Sequence, residues 1–352
     1  MKTYLVTGGA GFIGSNYIIY MLNKYQDIKI INLDALTYAG NLENLKEVEK
    51  RSAYTFVQGD ICDKALVERL FRDYKPDCVI NFAAESHVDR SITDPEIFVK
   101  TNVLGTLSLL NIAKAAWQTG EDQYRDGVKF LQVSTDEVYG SLGETGCFME
   151  TTPLDPHSPY AASKASAQLL VKAYADTYKM PVNITCCSNN YGPFQFPEKL
   201  IPLILNNTLQ HKSLPVYGDG KQVRDWLYVE DHCKAIDMVV HAGRLGEVYN
   251  IGGHNERCNI DIVKIIVNYV REHVDSTVGE DLIRHVTDRK GHDRRYGIDP
   301  EKIKNELGWY PDTPFDKGIK LTLDWYLGHK EWMERVTSGA YQEYYNEMYK
   351  TR

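Results

Sequence analysis

The sequence is short of several things, and each shortage removes a class of protein. No run approaches the eighteen or so consecutive apolar residues that a membrane-spanning helix needs. The seven cysteines are odd in number and form no Cys-x-x-Cys pair, so neither a disulfide framework nor a zinc ribbon is expected, and reduced thiols in the cytoplasm are. No other metal-ligand spacing stands out. The start, "MKTYLVTGG", has neither a basic leader nor an apolar export segment and goes straight into a strand and a glycine loop. Net positive charge is missing too: at −8 the chain is a poor nonspecific partner for nucleic acid, although a local pocket of Arg and Lys can still hold a phosphorylated ligand. With 25% charged and 43% hydrophobic residues over 352 positions, what remains is an ordinary globular composition with room for a sizeable core.

The first half alternates short apolar runs with helical patterns: "YLVTG", a helix from about Phe12, "IKIINLD", "YTFVQGD", "CVINFAA" and "VKFLQVST". These runs are continuous and not alternating, as expected of parallel strands covered by helices on both faces. The expected fold class is therefore α/β: a Rossmann-type doubly wound parallel sheet with a smaller C-terminal mixed α/β substrate domain. In "SPYAASKASAQLLVKAYADTY", Ser158 is the candidate N-cap and Pro159 the first helical residue of a long helix. After Asn190 the texture changes to clustered prolines and short strands such as "LPVYGDG" and "EVYNIGG", with helices in "NIDIVKIIVNYVREHV" and "EKIKNELGW". The division expected is a dinucleotide-binding domain over 1–190, with a possible return segment near 226–252, and a substrate domain over 191–352. The Tyr-rich end, "SGAYQEYYNEMYKTR", reads as a partly polar terminal helix.

"VTGGAGFIGSNY" follows the first strand directly, with Gly8, Gly11 and Gly14 in G-x-x-G-x-x-G spacing and Phe12 and Ile13 opening the helix. Glycines let the backbone approach a pyrophosphate, and the helix N-terminus offers free N–H groups. Asp34, at the end of "IKIINLD", is placed to accept the ribose hydroxyls of the adenosine and to repel a 2′-phosphate, which selects NAD over NADP. Asp60 and Ile61, at the next strand tip, are candidates for the adenine side. A glycine-rich turn and a solvated strand-end acid are the plain alternatives. Strand, loop, helix and acid in that order favour the dinucleotide.

"YAASK" sets Tyr160 and Lys164 four apart, on one helix face. A phenol acts as a base near neutrality only if cations lower its pKa, and Lys164 with the cationic nicotinamide of NAD would be those cations. Thr135, ending "VKFLQVST", can hydrogen-bond the same reacting hydroxyl. It is followed by two adjacent acids, Asp136 and Glu137. Two carboxyl groups in one closed site hold a proton between them, which suits a reaction needing an acid and a base together. The residues alone leave open which of the two carries it.

Through "TGGAGFIG" and Thr135–Tyr160–Lys164 the chain resembles the extended short-chain dehydrogenase/reductase superfamily. Through "LTYAGNLENL", "AAESHVDRSI", "STDEVYG", "SPYAASKA", "SNNYGPFQFPEKLIP", "VRDWLYVEDH" and "GHDRRYGID" it is most similar, within that superfamily, to the dTDP-glucose 4,6-dehydratase family. The resemblance implies a lyase that uses NAD and takes a nucleotide sugar, dTDP-glucose, as substrate. It implies that Glu137 is the base at C5 and Asp136 the acid at the C6 oxygen. It carries over Asn190, Lys199, Arg224, Asn259, Arg294 (or Arg295) and Tyr296 as phosphate or nucleotide contacts, and Tyr217 as a base-side contact. Ser86, His87 and Asp89 would line the sugar pocket. A homodimer is implied, pairing through the helices at "GTLSLLNIAKAAW" and "SAQLLVKAYA". Cys186 stands where this family commonly has Arg, which would remove a charge near the cleft edge. Lys290 replaces a usual Pro, which would loosen the loop before Arg294. Three alternatives stay in view: a nucleotide-sugar 4-epimerase using the same Tyr160 and Lys164 without elimination, the same dehydration on UDP-glucose, and a noncatalytic nucleotide binder.

Overall fold

A computed structural model describes residues 1–338. The Tyr-rich end from residue 339 onward, expected as a helix, lies outside the described residues.

Seven parallel strands form the main sheet, in the spatial order Val248–Ile251, Val182–Cys187, Lys129–Thr135, Cys78–Asn81, Lys2–Thr7, Ile28–Asp34, Tyr54–Gln58. The strands read as unbroken apolar runs because neighbouring residues enter opposite cores. Tyr4 and Val6 face one side with Ile18, Met21, Ile236 and Val239, while Leu5 faces the other with Val67, Leu70 and Leu109. Each large side chain so enclosed contributes roughly 1.5–3 kcal/mol. Helices Phe12–Lys24 and Val229–Ala242 therefore cover one face, and Lys64–Tyr74, Thr106–Trp117 and Pro159–Tyr178 the other.

Strand order reverses between Lys2–Thr7 and Cys78–Asn81, so the crevice at the carboxyl ends of these strands is the switch point where such sheets bind ligands. One short strand lies within the return segment expected near 226–252. "EVYNIGG" contributes Val248–Ile251 to the edge of the large sheet, in register with Ile184–Cys187.

Besides a small hairpin of Gln118–Gly120 with Gln123–Tyr124, two smaller sheets are built by Leu214–Tyr217 with Ile283–Val286 and by Glu256–Cys258 with Val223–Tyr228 and Asn189–Tyr191. They sit on a separate core of Tyr191, Ile204, Leu205, Trp226, Ile262, Ile266 and Phe315. Asn189–Tyr191 follows the main-sheet strand Val182–Cys187 after one residue, so a single segment passes from one sheet to the other at the cleft. No helix among the described residues is long and apolar enough to cross a membrane.

Candidate active site

The first wall of the site is backbone. Gly8 has φ +69°, and a Cβ there would lie 2.6 Å from the nitrogen of Ala83 on the neighbouring strand's extension. At Gly14 a Cβ would sit 2.3 Å from the carbonyl of Gly8, so the helix Phe12–Lys24 can start against the turn only as glycine. Asp34 is buried and locks the loops on both sides, its Oδ2 accepting from Ala10 N and its Oδ1 from Leu36 N, each at 2.8 Å. Each carboxylate oxygen keeps a further lone pair for a ligand hydroxyl. Burial pushes the Asp34 carboxyl above the usual range, against those two N–H donors. Asp60 accepts from Cys62 N at 2.8 Å, and Ile61 is packed beneath Gly105.

From this wall a cleft of about 370 Å³ runs past Gly11, Phe12 and Ile13 to Thr135, Asp136, Glu137, Tyr160 and Lys164. A close-approach glycine turn, a helix N-terminus and a strand-end acid at one end, with a Tyr–Lys pair at the other, fit NAD stretched between them.

The catalytic wall is made of side chains. Lys129–Thr135 ends at Thr135, whose Oγ1 accepts from Glu137 N at 3.3 Å and so starts the single 3₁₀ turn Asp136–Tyr139. Val138 and Tyr139 anchor this turn in the core, and the Tyr139 hydroxyl donates to Asn250 Oδ1 at 2.9 Å. Gly140, at φ +85°, closes it where a Cβ would be 2.6 Å from the Asp155 carbonyl. The two acids are thereby left facing the cleft.

Asp136 is 2% exposed; it accepts only from Thr135 Oγ1, at 3.3 Å, and its Oδ2 has no hydrogen-bond partner. Burial, then the charge of Glu137, hold its carboxyl far above the ordinary range. Burial also raises Glu137, but three cations oppose the shift, Arg289 first, then Arg224 and Lys199. For Asp136 a single cation, Arg224, opposes, followed by the hydrogen bond from Thr135. The two neighbours thus sit in different fields, with three cations facing Glu137 and one facing Asp136.

Tyr160 and Lys164 lie one turn apart on Pro159–Tyr178, whose N-cap Ser158 accepts from Ala161 N at 3.1 Å. The Lys164 ammonium donates to the Val133 carbonyl at 2.7 Å and is pushed down to about 8 by burial. Burial, and next the Glu137 charge, drive the Tyr160 phenol well above its usual value. The physical reason is that the acids share its pocket while the lysine charge is turned to backbone.

Of the residues expected at the substrate end, Ser86, Asn190 and Lys199 line the cleft. Lys199 Nζ donates to the Ser86 carbonyl at 3.0 Å and lies 3.7 Å from the buried carboxylate of Glu198. Arg224 is buried behind the cleft, donating to the Asp293 carbonyl at 3.1 Å with its guanidinium 4.1 Å above the Tyr296 ring. Tyr296 donates to Asp293 Oδ2 at 2.7 Å, so Asp293 braces both. His87 caps the helix Val88–Thr93, its Nδ1 accepting from Arg90 N at 3.3 Å. Asp89 accepts from the Tyr217 hydroxyl at 2.9 Å, tying the two halves of the molecule together. Asn259 starts the helix Asn259–His273.

Arg294 and Arg295 are spoken for elsewhere: Arg294 pairs with Asp219 at 2.9 Å on the exposed side, and Arg295 with Glu256 at 2.6 Å. The arginine whose charge reaches Glu137 is Arg289, which stands two residues before the motif "GHDRRYGID" and which sequence reasoning passed over. Its signal was present, since "DRKGHDRRY" contains it, but nothing in the order of residues distinguishes it from Arg294. Glu198 and Gln195, also in the walls, lie inside the quoted motif "SNNYGPFQFPEKLIP" but were not singled out from it. Cys186 does not reach the cleft edge as expected. It is fully buried in its strand, its thiol donating to Gln168 Oε1 at 3.3 Å, and it is Cys187 that lines the cleft.

The sequence model of the GDP-mannose 4,6 dehydratase family matches residues 5–322. The chain is 55% identical over 345 residues to a dTDP-glucose 4,6-dehydratase of Xanthomonas campestris pv. campestris strain B100, covering 97% of this chain and 98% of that one. It is 50% identical over 359 residues to the dTDP-glucose 4,6-dehydratase of Salmonella typhimurium strain LT2, covering 99% of each. The crystal structure of dTDP-glucose 4,6-dehydratase from Bacillus anthracis in complex with NAD superposes with a TM-score of 0.86 at 49% identity, over 96% of this chain and all of that one.

Proposed function

This chain belongs to the dTDP-glucose 4,6-dehydratase family, within the extended short-chain dehydrogenase/reductases, and from that premise we infer its reaction: NAD-dependent removal of water from dTDP-glucose, giving dTDP-4-keto-6-deoxyglucose. The observation that carries the division of labour is the unequal field on Asp136 and Glu137.

NAD, when bound, takes the C4 hydrogen with its electron pair, later delivers it to C6, and places a positive ring beside Tyr160. Tyr160, lowered by that charge, accepts the proton of the 4-hydroxyl, with Lys164 one helical turn away and Thr135 hydrogen-bonded to the same oxygen. The C4 ketone makes the C5 hydrogen acidic. Glu137, kept ionisable by Arg289, Arg224 and Lys199, removes it. Asp136, held protonated by burial and by its neighbour, gives its proton to the C6 oxygen, and water departs. Glu137 then returns its proton to C5 as C6 is reduced. At the end both acids are ionised and Tyr160 carries the proton of the 4-hydroxyl, so the site is reset when Asp136 regains a proton and Tyr160 gives one up to solvent.

Lys199, Asn190 and Ser86 from the cleft walls, with Arg224, Asn259, Tyr296, Tyr217, His87 and Asp89 around them, form the nucleotide-sugar side. Arg294 stays with them, and Arg289 joins them. Residues 1–190 with the return strand serve as the NAD domain and 191–352 as the substrate domain. The protein acts as a homodimer: Val99, Leu104 and Leu169 are 50%, 53% and 58% exposed on two helices that pack together, which leaves an apolar face for a second copy. Its seven free cysteines suit the cytoplasm.

The test is turnover of dTDP-glucose and UDP-glucose in deuterium oxide. Loss of water with deuterium at C5 supports the scheme, and a product retaining every oxygen overturns it in favour of epimerisation. Sedimentation as a monomer at micromolar concentration would remove the dimer.

A further inference from the structure

Asn190 stands where the chain passes from the large sheet to the small one, in the cleft wall beside Asn189 and Gln195. This stretch is polar and dry: the Oε1 of Gln195, a residue 7% exposed, has no partner. The carboxamide of Asn190 is held at both ends. Its Nδ2 donates to the Ser188 carbonyl at 3.0 Å, and its Oδ1 lies 2.9 Å from Nδ1 of His232, on the helix Val229–Ala242.

A carbonyl only accepts, so the Ser188 contact fixes which end of the amide is nitrogen. Oδ1 then faces His232, and Nδ1 of that ring must carry hydrogen. The other ring nitrogen, Nε2, is buried with no partner, and the residue is fully enclosed. A ring serving only to fill space would be better as phenylalanine, because a buried polar atom left unmatched is destabilising. The polar contact to Asn190 is what the imidazole adds. Burial pushes His232 down to about 3, so it stays neutral at any working pH.

With Oδ1 turned to His232 and one Nδ2 hydrogen used, Asn190 has a single N–H left, and it belongs to a side chain of the cleft wall. The geometry points to His232 as a positioning residue for the dehydration: its Nδ1–H orients Asn190 so that the amide offers the bound nucleotide a donor and never a carbonyl oxygen. The ligand atom it meets is an acceptor, a phosphate or sugar oxygen. This rests on the reading of Asn190 as a nucleotide contact.

The experiment is a kinetic cycle with dTDP-glucose on the NAD-loaded enzyme, using H232F, N190A and the double variant. H232F is expected to lower kcat/KM about tenfold to thirtyfold, with an unchanged or higher melting temperature, while adding nothing in the N190A background. H232Q, which keeps a donor, is expected to recover part of the loss. An H232F effect of equal size with and without Asn190 overturns the proposal, and so does wild-type kinetics in H232F. Wild-type kinetics in N190A removes the Asn190 reading itself, and the proposal with it. Should H232F fail to fold, nitrogen NMR of histidine-labelled wild-type enzyme decides independently. A neutral His232 protonated at Nδ1 is expected, and protonation at Nε2 overturns the assignment.

Discussion

The two ends of the cleft are built by opposite means. At the dinucleotide end the shape is set by backbone: Gly8 and Gly14 allow contacts no side chain could tolerate, and Asp34 is satisfied by two N–H donors 24 and 2 residues away. At the catalytic end the work is done by charges that leave much unsatisfied, with Asp136 Oδ2 orphaned and Tyr160 far from its working protonation. One end is complete before anything binds. The other is poised for a ligand, storing the cost of burial in groups that must give up or take protons.

The sharpest way to break this contrast is Glu137→Gln. Turnover should fall about a thousandfold, within the range of general-base loss, and solvent deuterium should no longer enter C5, while NAD affinity stays as it was. Equal damage to NAD binding would show that the ends are not separable. Next in size, Gly14→Val should weaken NAD binding about a hundredfold in calorimetry, because the side chain meets the Gly8 carbonyl where the turn closes. It should leave the pH profile of residual turnover unmoved.

Arg289→Met should lower kcat/KM roughly thirtyfold and raise the pH at which activity appears on the acid side, since the largest cation opposing the rise of Glu137 is gone. The matching change at the exposed Arg294 should shift that limb little. The smallest effect is on stability. Asp136 has a folded pKa above its unfolded one, so the stability it contributes is full below the unfolded pKa and is lost as pH rises through the folded value. Asp136→Asn, neutral at every pH, should therefore match the wild-type melting curve in acid and exceed it near neutrality by about 1 kcal/mol, while losing dehydration.

The same contrast explains what could be read from the residues alone. The glycine loop, Asp34 and the Tyr160–Lys164 pair are local patterns, set by turns and helix periodicity within a few residues, and the strand and helix runs follow from burial on two faces. The fold was legible for that reason. The field around Glu137 was not, because Lys199, Arg224 and Arg289 reach it from three separate segments, and Arg289 and Arg294 differ only in where a loop turns. Cys186 and Cys187 make the same point on one strand. Alternation puts the first in the core and the second in the cleft wall, and a sequence motif does not say which.

The central claim is that, of two adjacent acids, Asp136 holds the proton and Glu137 the charge. Infrared difference spectroscopy of the NAD-loaded enzyme near neutral pH tests it directly, through the carbonyl stretch of a protonated carboxylic acid. The band should be present in the wild type, persist in Glu137→Gln and vanish in Asp136→Asn. A band that survives Asp136→Asn and is lost in Glu137→Gln would contradict the account.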